Sequence, residues 1–277
     1  MQGLKFRASG VGNLMVGNFG LTEIQEARLF ELEQRAGELG KPLTPNMEAE
    51  LQDLRYKESN PQLSETAKTF VRNSVIEFIY KRKKEIKSKY LEKGILVEQD
   101  SVDLLCDVTG EFYDHRTTRL TDDYFTGECD LLSDNKVTDI KSSFDIFTFF
   151  EADFKDIYYW QGQVYCRLYN KQYFDLAYCL VDMPRAMFKS LNDKLLAEFG
   201  FDTYNEKYVK SLTQLSNNCF FGDLAPNPIP KHQRLKIFSC ERNEADMKRL
   251  IERAEAAHKY ADNFWNNHIE SSKKFLK

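Results

Sequence analysis

The spacing of apolar and polar positions predicts helices toward both ends of the chain and strands in its middle. Residues 21 to about 37 have helical periodicity, with Thr22 and Gln25 placed as a capping box. Residues 40–45 break it, and a shorter helix is predicted to about residue 57, ahead of the break at Asn60-Pro61. Ser64 is placed to cap a long helix whose apolar stripe is Phe70, Val71, Val75, Phe78 and Ile79. That helix turns basic over residues 81–90, and Gly94 is expected to interrupt it. Helix then resumes over residues 95–105, with Ile95, Val102 and Leu105 on or near one face and Glu98 close to that face. A carboxylate near an apolar face needs a partner or a metal.

After a polar loop at residues 114–119, residues 125–143 read as two strands joined by a turn at Ser133, Asp134, Asn135 and Lys136. Symmetric pairing sets Leu132 opposite Val137, Asp130 opposite Asp139 and Glu128 opposite Lys141. Residues two apart in a strand share a face, so the four charged groups are expected to converge, with cross-strand Cβ atoms about 5 Å apart. Three acids and one lysine at that spacing call for a cation among the acids.

Residues 144–153 are aromatic-rich and could cover one side of a cleft. Residues 157–169 read as a helix on which Gln161 and Tyr165 share a face, either to orient a substrate strand or a water, or simply to pack. A buried strand is predicted over residues 174–181, stopped by Pro184, followed by one or two helices over residues 186–215. Residues 226–230 form a proline-rich loop, and residues 235–240 a short strand. Asn243 is placed to cap a last helix to about residue 268, with a frayed tail from 271. No repeat or low-complexity linker appears. The expected architecture is α/β: one domain over 1–277, its core at about 91–182, with helical additions at about 1–90 and 185–277.

Composition narrows the function classes. The 277 residues are 42% hydrophobic and 30% charged, typical of a globular protein, and the formal charge is −4. That balance leaves room for a local basic groove but not for a generally basic surface. Residues 81–90 are either such a phosphate path or a solvated helix face. No apolar run approaches the about 18 residues of a membrane span, and the first residues lack the apolar core of a signal peptide, so a cytoplasmic location is expected. The six cysteines lack any Cys-x-x-Cys pair, which disfavours zinc and iron–sulfur sites and suits small core residues. The four histidines show no metal-binding spacing, and the loops of simple ATPases and serine hydrolases are missing.

Glu98, Asp130 and Asp139 offer hard oxygen donors suited to Mg²⁺ or Mn²⁺. With Lys141 beside them to orient a water and offset charge, the reaction class implied is metal-assisted hydrolysis of a nucleic-acid phosphodiester. Near the N-terminus, Arg7 and Ser9 in a glycine-rich segment suit phosphate binding, or form an ordinary turn.

The order Glu98, Gly127-Glu-Cys-Asp130, Asp139-Ile-Lys141 and Gln161-x-x-x-Tyr165 resembles the PD-(D/E)xK nuclease superfamily. Within it, the set is most similar to the RecB-like and lambda-exonuclease (YqaJ)-type phage recombination nucleases, in which a helix glutamate follows a Lys-Gly pair, here Lys93-Gly94. The resemblance covers roughly residues 90–170. Cys129 departs from it, standing where the family usually has proline. The resemblance implies a central mixed β-sheet flanked by helices. It implies that Glu98, Asp130 and Asp139 hold Mg²⁺ or Mn²⁺, with the Ile140 main-chain carbonyl available as a further ligand, and that no iron–sulfur cluster is present. Lys141 and Gln161 would complete the catalytic set, Gln163 or Tyr165 would accompany Gln161, and Arg7 and Ser9 would contact a terminal phosphate of the substrate. The expected activity is a DNA exonuclease acting on duplex ends in phage or prophage recombination, in the host cytoplasm if phage-encoded. By the same analogy it would form a ring trimer and work beside a single-strand annealing protein. The alternatives are an endonuclease of the same fold, or an inactive nuclease-fold subunit that only binds DNA.

Overall fold

A computed structural model of the protein describes residues 1–37, 41–84, 88–113 and 118–274. Part of the basic run (85–87), part of the polar loop (114–117) and the last three residues therefore lie outside the described residues. In chain order the elements are β1 (Phe6–Arg7), a 3₁₀ segment (Ala8–Met15), α1 (Glu23–Ala36), α2 (Pro45–Ser59), α3 (Glu65–Tyr80), α4 (Lys89–Leu96) and α5 (Glu98–Thr109). Then come β2 (Leu120–Thr121), β3 (Phe125–Gly127), β4 (Leu131–Leu132), β5 (Lys136–Ser142), α6 (Ile146–Phe150), α7 (Asp156–Leu168) and β6 (Tyr173–Cys179). The chain continues through α8 (Arg185–Glu198), α9 (Glu206–Cys219), β7 (Leu235–Glu241) and α10 (Glu244–Lys274). Among the described residues no helix is long and apolar enough to cross a membrane.

The chain forms two compact units. The first gathers residues 1–83, 121–126 and 243–277. Thr22 and Gln25 form the expected capping box of α1, and the Ser64 side chain caps α3 by accepting from Ala67 N–H. Leu29, Leu32, Leu51 and Leu54 pack α1 against α2, which extends to Ser59 and so is no shorter than α1. The small sheet has the order β1–β3–β2, with β1 and β3 parallel. Arg253 of α10 is buried and donates to the carbonyls of Leu14 and Gly17 at 2.8 and 2.7 Å, tying α10 to the end of the 3₁₀ segment.

The second unit, residues 84–120 and 127–242, carries a four-stranded mixed sheet in the order β4–β5–β6–β7. The β5–β6 pair is parallel, and the pairs on either side are antiparallel. Helix α5 packs on one face through Val102, Leu104 and Leu105, and α7 packs on the other. Four of the six cysteines are buried, in keeping with their reading as core residues, and all six are free thiols. This is the mixed, helix-flanked α/β sheet that the resemblance implies.

Three boundaries differ from the sequence reading. Gly94 does not interrupt a helix: it lies inside α4, and the break falls earlier, where Lys81 adopts φ 54° after Tyr80. Four consecutive cations at 81–84 disfavour continuing the helix through them. A second break at Val97 separates α4 from α5, so Ile95 is 75% exposed on α4 instead of sharing the buried stripe of Val102 and Leu105. At the other end, Asn243 caps α10 by accepting from Asp246 N–H, but the helix continues to Lys274 where fraying was expected.

Candidate active site

The site begins with the pleat of β5. Leu132 pairs with Val137, the register expected for the hairpin, but the first arm is not one strand. Phe125–Gly127 pairs with β1 in the other sheet, and the antiparallel ladder ends at Leu131. Asp130 therefore sits just beyond the strand, where its Oδ2 accepts the backbone N–H of Ile140 at 2.6 Å. On β5, Asp139 and Lys141 point toward α7, while Ile140 packs with Val97 and Val102 on the α5 face.

Helix α7 comes close because of Gly162. A Cβ there would lie 2.2 Å from the Phe174 ring of β6, so only glycine admits this approach. The neighbouring Gln161 consequently reaches the sheet. Its Nε2 donates to Asp139 Oδ1 at 3.0 Å and to the Tyr165 hydroxyl at 3.0 Å, the shared face expected from their spacing. All three groups are buried. The second carboxylate oxygen of Asp139 forms an ion pair with Lys141.

Electrostatics here are set by two acids sharing a shielded space. Burial pushes the Asp130 carboxyl up to about 7, Asp139 adds to that, and the Ile140 N–H and Lys141 oppose it. Burial by itself would lower the Lys141 ammonium, but attraction to Asp139 and then Asp130 lifts it above its ordinary value. Tyr165 is raised chiefly by burial and next by Asp139. Asp130 and Lys141 open onto a cavity of about 780 Å³ whose wall also includes Glu98, Tyr90, Phe144, Tyr158 and Tyr178. The segment expected to cover a cleft thus does so with Phe144, Thr148 and Glu151.

Each predicted residue can now be placed. Asp130, Asp139, Lys141, Gln161 and Tyr165 come together. Glu98, the first residue of α5, lines the same cavity and adds to the charge felt by Asp130. Glu128 does not face Lys141: the ladder stops short of it, and it pairs with Arg119 at 3.4 Å. Gln163 is buried and donates to the Glu241 carbonyl of β7 at 2.7 Å, because a two-residue step on a helix turns it away from Gln161. Arg7 and Ser9 belong to the first unit, where Arg7 pairs with Glu77 and Ser9 is exposed in the 3₁₀ segment.

Tyr158 escaped the sequence reading, and Lys93 entered it only as half of the Lys93-Gly94 pair, with no role of its own. Tyr158 lies under Lys141, with Nζ 5.5 Å from its ring centroid. Lys93 is fully buried; its spacing with Tyr90 and Val97 places it on one helical face with them, a lysine set between apolar positions.

Among the described residues, no three acids, cysteines or histidines stand ready as a complete metal trio. Asp139 is turned to Gln161 and Lys141, and Asp130 to Ile140 N–H. The donors nonetheless fit a hard divalent ion. They are carboxylate oxygens, and the paired acids carry repulsion that a cation would relieve.

No protein-family model matches the sequence, and no curated protein matches it significantly. Solved structures do match. A phage-related exonuclease from Haemophilus somnus 129PT superposes with a TM-score of 0.63 at 20% identity, covering 96% of each chain. An alkaline exonuclease (LHK-Exo) from Laribacter hongkongensis gives 0.55 at 11% identity, covering 98% of this chain and 94% of that one. The same enzyme in complex with dAMP gives 0.56 at 12% identity. The chain has the fold of these exonucleases, the fold that the PD-(D/E)xK resemblance implies.

Proposed function

We propose that the protein is a divalent-metal-dependent DNA exonuclease that hydrolyses phosphodiester bonds at duplex ends. The carrying observation is the Asp139 carboxylate, buried and held by Gln161 and Lys141 beside the raised carboxyl of Asp130, which with Lys141 lines an open cavity. The exonuclease neighbours in fold, one in complex with dAMP, point the same way.

In this reading Asp130, Asp139 and Glu98 would hold Mg²⁺ or Mn²⁺, with the Ile140 carbonyl as a further ligand. When bound, the ion would supply Lewis-acid polarisation of the phosphodiester and a lowered pKa for its water. The chain's own residues do the rest. Lys141, an ammonium ion beside Asp139, donates to the attacking water or to a phosphoryl oxygen and offsets the charge that develops there. Gln161 fixes the rotamer of Asp139, and Tyr165 fixes Gln161. Arg7 and Ser9 are assigned to the terminal phosphate by resemblance, so 5′-phosphorylated ends should be preferred over 5′-hydroxyl ends.

The test is release of nucleotides from linear and from covalently closed duplex DNA, with Mg²⁺ or Mn²⁺ and with EDTA. Release from the linear form only, abolished by EDTA, supports the proposal. Nicking of closed circles would favour an endonuclease, and inactivity with DNA binding retained would favour a binding-only subunit.

A further inference from the structure

The Lys93 side chain is the only fully buried lysine among the described residues, and its surroundings account for every proton it carries. Its Nζ donates to the carbonyls of Ser143 at 2.7 Å, Phe144 at 3.0 Å and Val181 at 2.8 Å. An ammonium has three N–H groups and no acceptor, so three converging carbonyls satisfy it completely. A neutral amine would offer two donors and leave one carbonyl facing a lone pair.

The carbonyls come from two chain segments. Ser143 and Phe144 follow directly on β5, the strand of Asp139 and Lys141, and Val181 follows on β6. Lys93 itself lies on α4, whose end at Val97 leads directly into Glu98. One side chain thus joins α4, the helix that leads into Glu98, to the end of the strand that carries Asp139 and Lys141. Around it, Asp145 caps α6, Cys219 ends α9, Asp182 accepts from Phe221 and Gly222 N–H, and the Phe221 ring lies 5.9 Å from Nζ. Those two acids favour the charged form, against the burial that pushes Lys93 down to about 8.

We propose that Lys93 is a positioning residue for the acidic site, its three-carbonyl clamp fixing Glu98 relative to Asp139 and Lys141. This rests on the exonuclease reading. Small displacements of groups around a reacting phosphate cost large factors in rate, so an unclamped site should keep its substrate grip and lose turnover.

The test compares the full chain with Lys93→Met and Lys93→Gln. Three quantities are read: kcat and KM on linear duplex, Mn²⁺ affinity by calorimetry, and amide exchange across residues 139–144. The clamp predicts kcat lower by about 10-fold or more in both folded variants, with KM within about 2-fold. It also predicts Mn²⁺ affinity weakened several-fold and faster exchange at 139–144. Folded variants with unchanged kcat and Mn²⁺ affinity would overturn it, as would failure of both variants to fold, which would make Lys93 a stability element only. If the unaltered chain cleaves no DNA, the exonuclease reading fails, while exchange and Mn²⁺ affinity still test the clamp.

Discussion

Strand β5 carries an acid–lysine group on each face, and the two are balanced differently. On the α5 face Lys136 pairs with Asp175 at 2.8 Å and with Glu111 at 3.2 Å, and Ser239 donates to Asp175 at 2.6 Å. Its second acid, Glu111, keeps 49% of its side chain exposed, so water carries part of that charge. On the α7 face Lys141 likewise meets two acids, but Asp130 and Asp139 are both shielded. Burial, and next the charge of Asp139, pushes Asp130 up to about 7. The first group is a satisfied ion-pair network that holds strands together. The second sets two mutually repelling acids together, one of them on the wall of a cavity, and a cation entering there would relieve that repulsion.

That contrast can be broken by substitution. Lys141→Met should lower kcat per folded molecule by about 10³-fold, because it removes a charge aimed at the reacting phosphate, and should also lower thermal stability, because buried Asp139 loses its ion-pair partner; steady-state kinetics on linear duplex with Mg²⁺ and thermal unfolding check it. Asp175→Asn on the other face should leave kcat per folded molecule unchanged. It leaves the half-buried Lys136 with only Glu111 as a charged partner and should destabilise by about 2 kcal/mol, as read by urea unfolding and kinetics. Lys93 gives a pH signature. Its folded pKa of about 8 lies below the ordinary 10.5, so between those values the unfolded chain holds more protons and stability rises with pH. Relative to Lys93→Met, the stability of the natural protein should gain up to about 3 kcal/mol from pH 8 to 10.5, and stay level below pH 7. Unfolding curves of both proteins across that range check it. The smallest effect is expected for Tyr165→Phe, which frees Gln161 from one partner and should reduce kcat by about 3-fold with KM unchanged.

Much of this was legible because its causes are local. Thr22, Ser64 and Asn243 cap their helices as their side-chain chemistry requires. The Leu132–Val137 register follows from the polar turn between them, and Gln161 and Tyr165 meet because they lie four apart on one helix. What was not legible depends on distant chain. The Lys93 carbonyls lie 50, 51 and 88 residues away, so its burial cannot be read from its neighbours. Glu128 leaves the hairpin because β1 recruits the preceding residues into another sheet. Gln163 is claimed by a carbonyl of β7, 78 residues on. Gly94 misled through its weak helix propensity, which the burial of the neighbouring Lys93 overrides.

The most direct measurement is degradation of linear duplex DNA in Mg²⁺ by the natural protein and by Asp139→Ala, both verified as folded. The account predicts metal-dependent nucleotide release by the first and a loss of about 10³-fold or more in the second. Equal activity in the two proteins would contradict it.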